Sequence, residues 1–146
     1  MRLKLPRRTM PLLAGVSILV ASAALGEPGA APLACQLLPA EKWSSVLGYP
    51  ATTEAGDGFC TYSSPDKSRG GQLRIIAVVG SSAEAEATVK RMREHQARSR
   101  HTAGLSEIES QGKVVFSVAV FQAAPTAQTG GQLKQLAAAV KQQLTK

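Results

Sequence analysis

Three hydrophobic rhythms run through this chain, and each predicts a different kind of element. The first is a nearly continuous apolar stretch of 14 residues from Leu12 to Leu25, relieved only by Gly15, Ser17 and Ser22. A helix of that length spans about 21 Å, too short for a hydrocarbon core of about 30 Å. Arg2, Lys4, Arg7 and Arg8 precede it without an acid, and small residues close it. A basic start, a short apolar middle and a small-residue end predict a cleavable signal peptide over residues 1–26 rather than a retained anchor. Two cuts fit, after Ala21-Ser22-Ala23 or after Ala24-Leu25-Gly26. The second is favoured because it leaves Glu27 and Pro28 outside the apolar run. Arg7-Arg8-Thr9-Met10 hints at a twin-arginine signal, but Pro11 stands where such signals usually want an apolar residue. Pro32, three residues before Cys35, stands where a lipoprotein signal places Leu, so acylation of Cys35 is not expected.

The second rhythm has a period of two, the signature of strands. Gly58 to Ser63 is rich in aromatic and β-branched residues. In Leu73 to Val79, Leu73, Ile75, Ala77 and Val79 fall on one face. Leu105 to Ser110 is a short strand leading through a Gln111-Gly112 turn into Lys113 to Gln122, the most apolar strand. There Val114, Phe116, Val118 and Val120 face one way. Val115, Ala119 and Phe121 face the other, which points to a central position. Thr52 to Gly58 reads as a polar loop, and Ser64 to Gly71 as a turn.

The third rhythm is helical. Pro39-Ala40-Glu41-Lys42 opens a short helix with Trp43, Val46 and Leu47 as its stripe, ended by Gly48 and Pro50. Ser81 and Glu84 form a capping box for a helix reaching about Ser99, with Ala85, Val89, Met92 and Gln96 inward. Thr129 and Gln132 are a second such box, before Leu133, Leu136, Val140 and Leu144. With residues 27–34 as a linker, residues 35–146 form one α+β domain. Its predicted order is α-β-β-α-β-β-α, with a mainly antiparallel four-stranded sheet flanked by helices.

Charge and cysteine content refine this picture. Removing the four leader cations leaves 13 bases against 10 acids, so the net charge falls from +7 to +3. The basic balance therefore does not point to nucleic acid. Cys35 and Cys60 are the two cysteines. An even count in an exported chain predicts one disulfide, and a loop this long makes it worth about 3 kcal/mol. There is no Cys-x-x-Cys spacing for a redox pair.

The residues Cys35-Gln36-Leu37-Leu38-Pro39-Ala40-Glu41, then Leu47-Gly48-Tyr49-Pro50, then Cys60-Thr61-Tyr62 have a familiar spacing. They resemble a large group of small exported bacterial domains of unknown function, many of them actinobacterial lipoproteins. The group's pattern is Cys-x-Leu-Leu-x-x-x-Glu, Leu-Gly-x-Pro, Cys-x-Tyr. The match covers about 28 residues. The resemblance implies that the two cysteines pair and that helices flank an antiparallel sheet. It implies no catalytic residue, and this chain departs from the lipoprotein members in lacking a lipobox.

Candidate chemistry is sparse. His95 and His101 lie about 240° apart around a helix, too far to share a metal, and both sit among arginines. No metal or cofactor is expected. Ser-His-Asp chemistry lacks a Gly-x-Ser-x-Gly motif, and Asp57 and Asp66 lie in Gly-rich loops. Glu107 and Glu109 share one strand face roughly 7 Å apart, a separation that paired-carboxylate glycoside chemistry allows, though the alternation is also the pattern of a solvated edge strand. The densest feature is Lys90, Arg91, Arg93, Arg98 and Arg100, opposed only by Glu94. It fits a docking patch for an acidic protein or an anionic envelope surface. It also fits bases gathered at a helix C-terminus after Glu84 and Glu86 at its start. The leading expectation is a non-catalytic exported domain that binds a macromolecule. A small apolar-ligand carrier with a pocket against the Lys113–Gln122 strand is the second, and a small hydrolase the third.

Overall fold

The computed structural model describes residues 30–99, 104–122 and 126–146. The expected signal peptide lies outside them. The elements are α1 (Ala30–Leu37), α2 (Ala40–Leu47), β1 (Thr52–Gly56), β2 (Phe59–Ser63), β3 (Gly70–Val78), α3 (Ser82–Arg98), β4 (Gly104–Gln111), β5 (Val114–Phe121) and α4 (Ala127–Leu144). The class is α+β, as the hydrophobic pattern predicts. The sheet has five strands rather than four, in the order β1-β2-β3-β5-β4, and every neighbouring pair is antiparallel.

Two elements exceed the expected order. The segment read as a polar loop forms β1, pairing from Thr52↔Ser63 to Gly56↔Phe59. As an edge strand it carries no alternating apolar face, so periodicity gives no sign of it. The segment read as a linker up to residue 34 is helical from Ala30, and Ala34 is fully buried.

The sheet separates two apolar clusters. On one face α1, α2 and α4 cover Tyr62, Leu73, Phe116, Val118 and Val120 with Leu38, Trp43, Leu133, Leu136 and Val140. On the other face α3 lays Ala85 and Val89 on Ile108 and Val115. The expected single face for Leu73 to Val79 breaks in the middle. The register steps from Ile75↔Phe116 to Ala77↔Val115, a bulge that sends Ile75 to the first cluster and Ala77 to the second.

Trp43 anchors the larger core. Its ring stacks on Tyr62 at 4.1 Å between centroids, and its Nε1 donates to the Tyr49 hydroxyl at 3.2 Å. The Tyr62 hydroxyl donates to the Leu38 carbonyl. Burial raises the Tyr62 pKa, so this hydroxyl stays a donor. Gly71 leaves the space: a Cβ there would run into the Trp43 ring and the Ala119 carbonyl. Cys35 and Cys60 are joined in a disulfide with Cα atoms 5.0 Å apart, tying α1 to β2.

The helix starts differ in accuracy. Ser81 caps α3 by accepting from the Glu84 N–H at 3.2 Å, while the Glu84 carboxylate accepts from the Gly80 N–H at 3.0 Å. The second capping box is displaced by three residues: Thr126 and Thr129 form it, so α4 begins at Ala127. Gln132 instead donates to the Val46 carbonyl at 3.2 Å, pinning α4 to α2.

Candidate functional site

The basic cluster divides according to its position on α3. Ala85 and Val89 set the buried side. At about 100° per residue, Lys90, Arg91 and Arg98 come round to the outer side, where all three are exposed. Among the described residues none of them makes an ion pair. Arg91 donates only to the Thr88 hydroxyl at 3.3 Å. Arg100 lies outside the described residues, as does His101.

Arg93 turns toward the sheet and does a different job. Its Nε donates to the Ile108 carbonyl at 3.0 Å, and its Nη2 lies 2.9 Å from Glu109 Oε1 and 3.7 Å from Glu107 Oε1. Lys141 of α4 reaches the other Glu109 oxygen at 3.5 Å. β4 ends the sheet, so one row of its backbone groups has no strand to pair with. Arg93 caps one of those carbonyls and neutralises the two acids beside it. Glu107 and Glu109 thus stand in a charge clamp joining α3, β4 and α4, an arrangement unlike two carboxylates facing a substrate.

Beside the outer basic face lies a shallow crevice of about 410 Å³, lined by Arg91, Met92, His95, Gln96, Ser99 and Ile108. Gln96 donates to the Ser106 hydroxyl, which fixes the last turns of α3 against β4. The carrier reading needed space against β5. Val115, Phe116 and Val118 are fully buried there, packed from both sides by α3 and by the α1, α2, α4 layer.

Helix α3 covers only one half of its sheet face. Cross-strand register places Gly56, Phe59 and Arg74 side by side, then Glu54, Thr61, Gln72, Ala119 and Ser106, then Ser63, Gly70 and Phe121. No residue of these three rows is fully buried among those whose exposure is described, and Phe121 is 51% exposed. Phe59 lies across Gly56, and the Arg74 guanidinium sits 5.5 Å above the Phe59 ring centroid. Arg74 also donates through Nε and Nη2 to Gln72 Oε1 at 3.3 and 3.2 Å, and Gln72 Nε2 donates to the Thr61 hydroxyl at 3.3 Å. The apolar residues on both faces of β5 point to a central position, which it holds between β3 and β4, but they do not tell that Phe121 is left exposed. The signal lies in the row opposite Phe121 on the other strands, which is Thr52, Ser63, Gly70 and Gly104.

The remaining polar groups serve the fold. Asp66 Oδ1 accepts from the Ser64 hydroxyl at 2.6 Å, from the Ser68 hydroxyl at 2.7 Å and from the Ser68 N–H at 3.0 Å. These bonds hold its carboxyl far below the usual range, the Ser64 bond most strongly. They close the β2–β3 turn, where Lys67 takes a left-handed φ of 58°. Arg69 stacks over the Tyr49 ring at 4.3 Å. Burial raises the Tyr49 pKa against the opposing Trp43 hydrogen bond and Arg69 charge.

Among the described residues no helix is long and apolar enough to cross a membrane. Comparison with protein-family models, with curated proteins and with solved structures found no match to this chain.

Proposed function

We propose that this protein is an exported, non-catalytic domain that binds an anionic surface of the cell envelope through the outer side of α3. The supporting observation is the division of the basic cluster. Lys90, Arg91 and Arg98 stand outward on one helix without an ion-pair partner among the described residues, whereas Arg93 is spent on β4. Arg93, by contrast, has a carbonyl and two acids beside it. Diffuse negative charge is a better match than a shaped protein epitope, because no aromatic anchor stands among the three cations. The disulfide agrees with an oxidising compartment.

Each basic residue near an anionic leaflet contributes about 1 kcal/mol, so three contribute roughly 3 kcal/mol at low salt. The purified protein should co-sediment with vesicles containing phosphatidylglycerol and not with pure phosphatidylcholine vesicles. Binding should fall steeply as salt rises from 50 to about 200 mM, as the Debye length shrinks. Equal binding to both vesicle types, or binding indifferent to salt, would overturn the proposal.

A further inference from the structure

We infer that the uncovered half of the α3-side sheet face is a second binding surface, for a glycan chain that carries acidic groups. It stands apart from the outer side of α3, and its evidence is independent. Phe59 and Phe121 mark opposite corners, two strands and four register positions apart, so their Cα atoms are separated by roughly 17 Å. A short oligosaccharide bridges that span. Between the rings lie Thr61 and Gln72, hydroxyl and amide groups suited to sugar hydroxyls. Phe121 is the exposed ring and offers an apolar body to the C–H face of a sugar, while Phe59 is held between Gly56 and Arg74 and positions that guanidinium.

Arg74 carries the charge argument. It is exposed, yet its guanidinium is already held by Gln72 and by the Phe59 ring. A pre-positioned fork loses little side-chain freedom when it meets a carboxylate. Lys67 and Arg69 line the hollow at the Phe121 end of this face together with Thr61, Ser63 and Gly70, and Glu54 is the acid among the rows themselves. Arg74, Lys67 and Arg69 against that one acid favour an anionic ligand.

Area decides against a folded partner. Five strands at about 4.8 Å spacing and four residue steps along each give roughly 300 Å². A stable protein complex buries about 800 Å² on each partner. A narrow linear polymer fits this area, and a second copy of the chain does not.

Calorimetric titration with polygalacturonate oligomers tests the inference, with dextran as the uncharged control. Polygalacturonate should bind and dextran should not. Phe121→Ala and Arg74→Gln should each weaken binding at least tenfold, with thermal midpoints unchanged because both side chains are exposed. Phe121→Ala should leave the capture by phosphatidylglycerol vesicles untouched, which separates this surface from the outer side of α3. Four results would overturn it: no titration heat with polygalacturonate, equal binding of dextran, wild-type affinity in both variants, or a dimer in sedimentation velocity that Phe121→Ala dissolves.

Discussion

Asp66 and Arg93 illustrate how single residues in this protein commit their charge to the fold. The Asp66 carboxylate collects three hydrogen bonds inside one turn. Its pKa is lowered in the folded state, so it adds stability above the unfolded value near 3.9, and that contribution disappears as pH falls toward the folded value. In urea melts, Asp66→Asn should therefore be less stable than wild type at pH 7, and the gap should narrow below about pH 4. A gap that stays constant with pH would show that the turn is held by other groups. The turn itself was legible, because Pro, Asp, Ser and Gly crowd residues 64–71. The role of Arg93 was not. Its acceptors lie on β4, and only the edge position of that strand brings its guanidinium to the Ile108 carbonyl.

At the level of elements, the legible ones are those with an unambiguous period. β5 and α4 each bury one clean face, and α3 keeps Ala85 and Val89 inward. β1 was illegible because an exposed edge strand has no apolar alternation to betray it. The bulge in β3 was illegible because alternation predicts uninterrupted pairing. The start of α4 was misplaced by one turn because Thr126 and Thr129 both suit a cap, and burial of the Thr129 hydroxyl against Gln122 and the Thr126 N–H decides between them. The disulfide tests how α1 depends on its neighbours. Replacing Cys35 and Cys60 by Ala should cost about 3 kcal/mol of unfolding free energy. Hydrogen exchange in α1 should rise more than in α4, since α1 loses its covalent tie to β2 while α4 keeps its apolar stripe. Uniform loss of protection across all helices would contradict this assignment.

Among the described residues, three helices close one face of the sheet and a single helix half-covers the other. On the proposed function, stability and recognition are thereby separated. The filled layer holds Trp43, Tyr62 and the disulfide-bonded Cys60, and α3 presents cations outward while Arg93 locks it to the sheet edge. One comparison addresses this division most directly: Arg91→Gln/Arg98→Gln beside Arg93→Gln, each measured for thermal midpoint and for capture by phosphatidylglycerol vesicles. The outer pair should lose most of the vesicle binding and melt like wild type. Arg93→Gln should melt a few degrees lower, in keeping with about 1 kcal/mol for a partly exposed ion-pair network, and should bind vesicles nearly as well as wild type. Vesicle binding that survives in the outer-pair variant would contradict the assignment of α3 as the binding element.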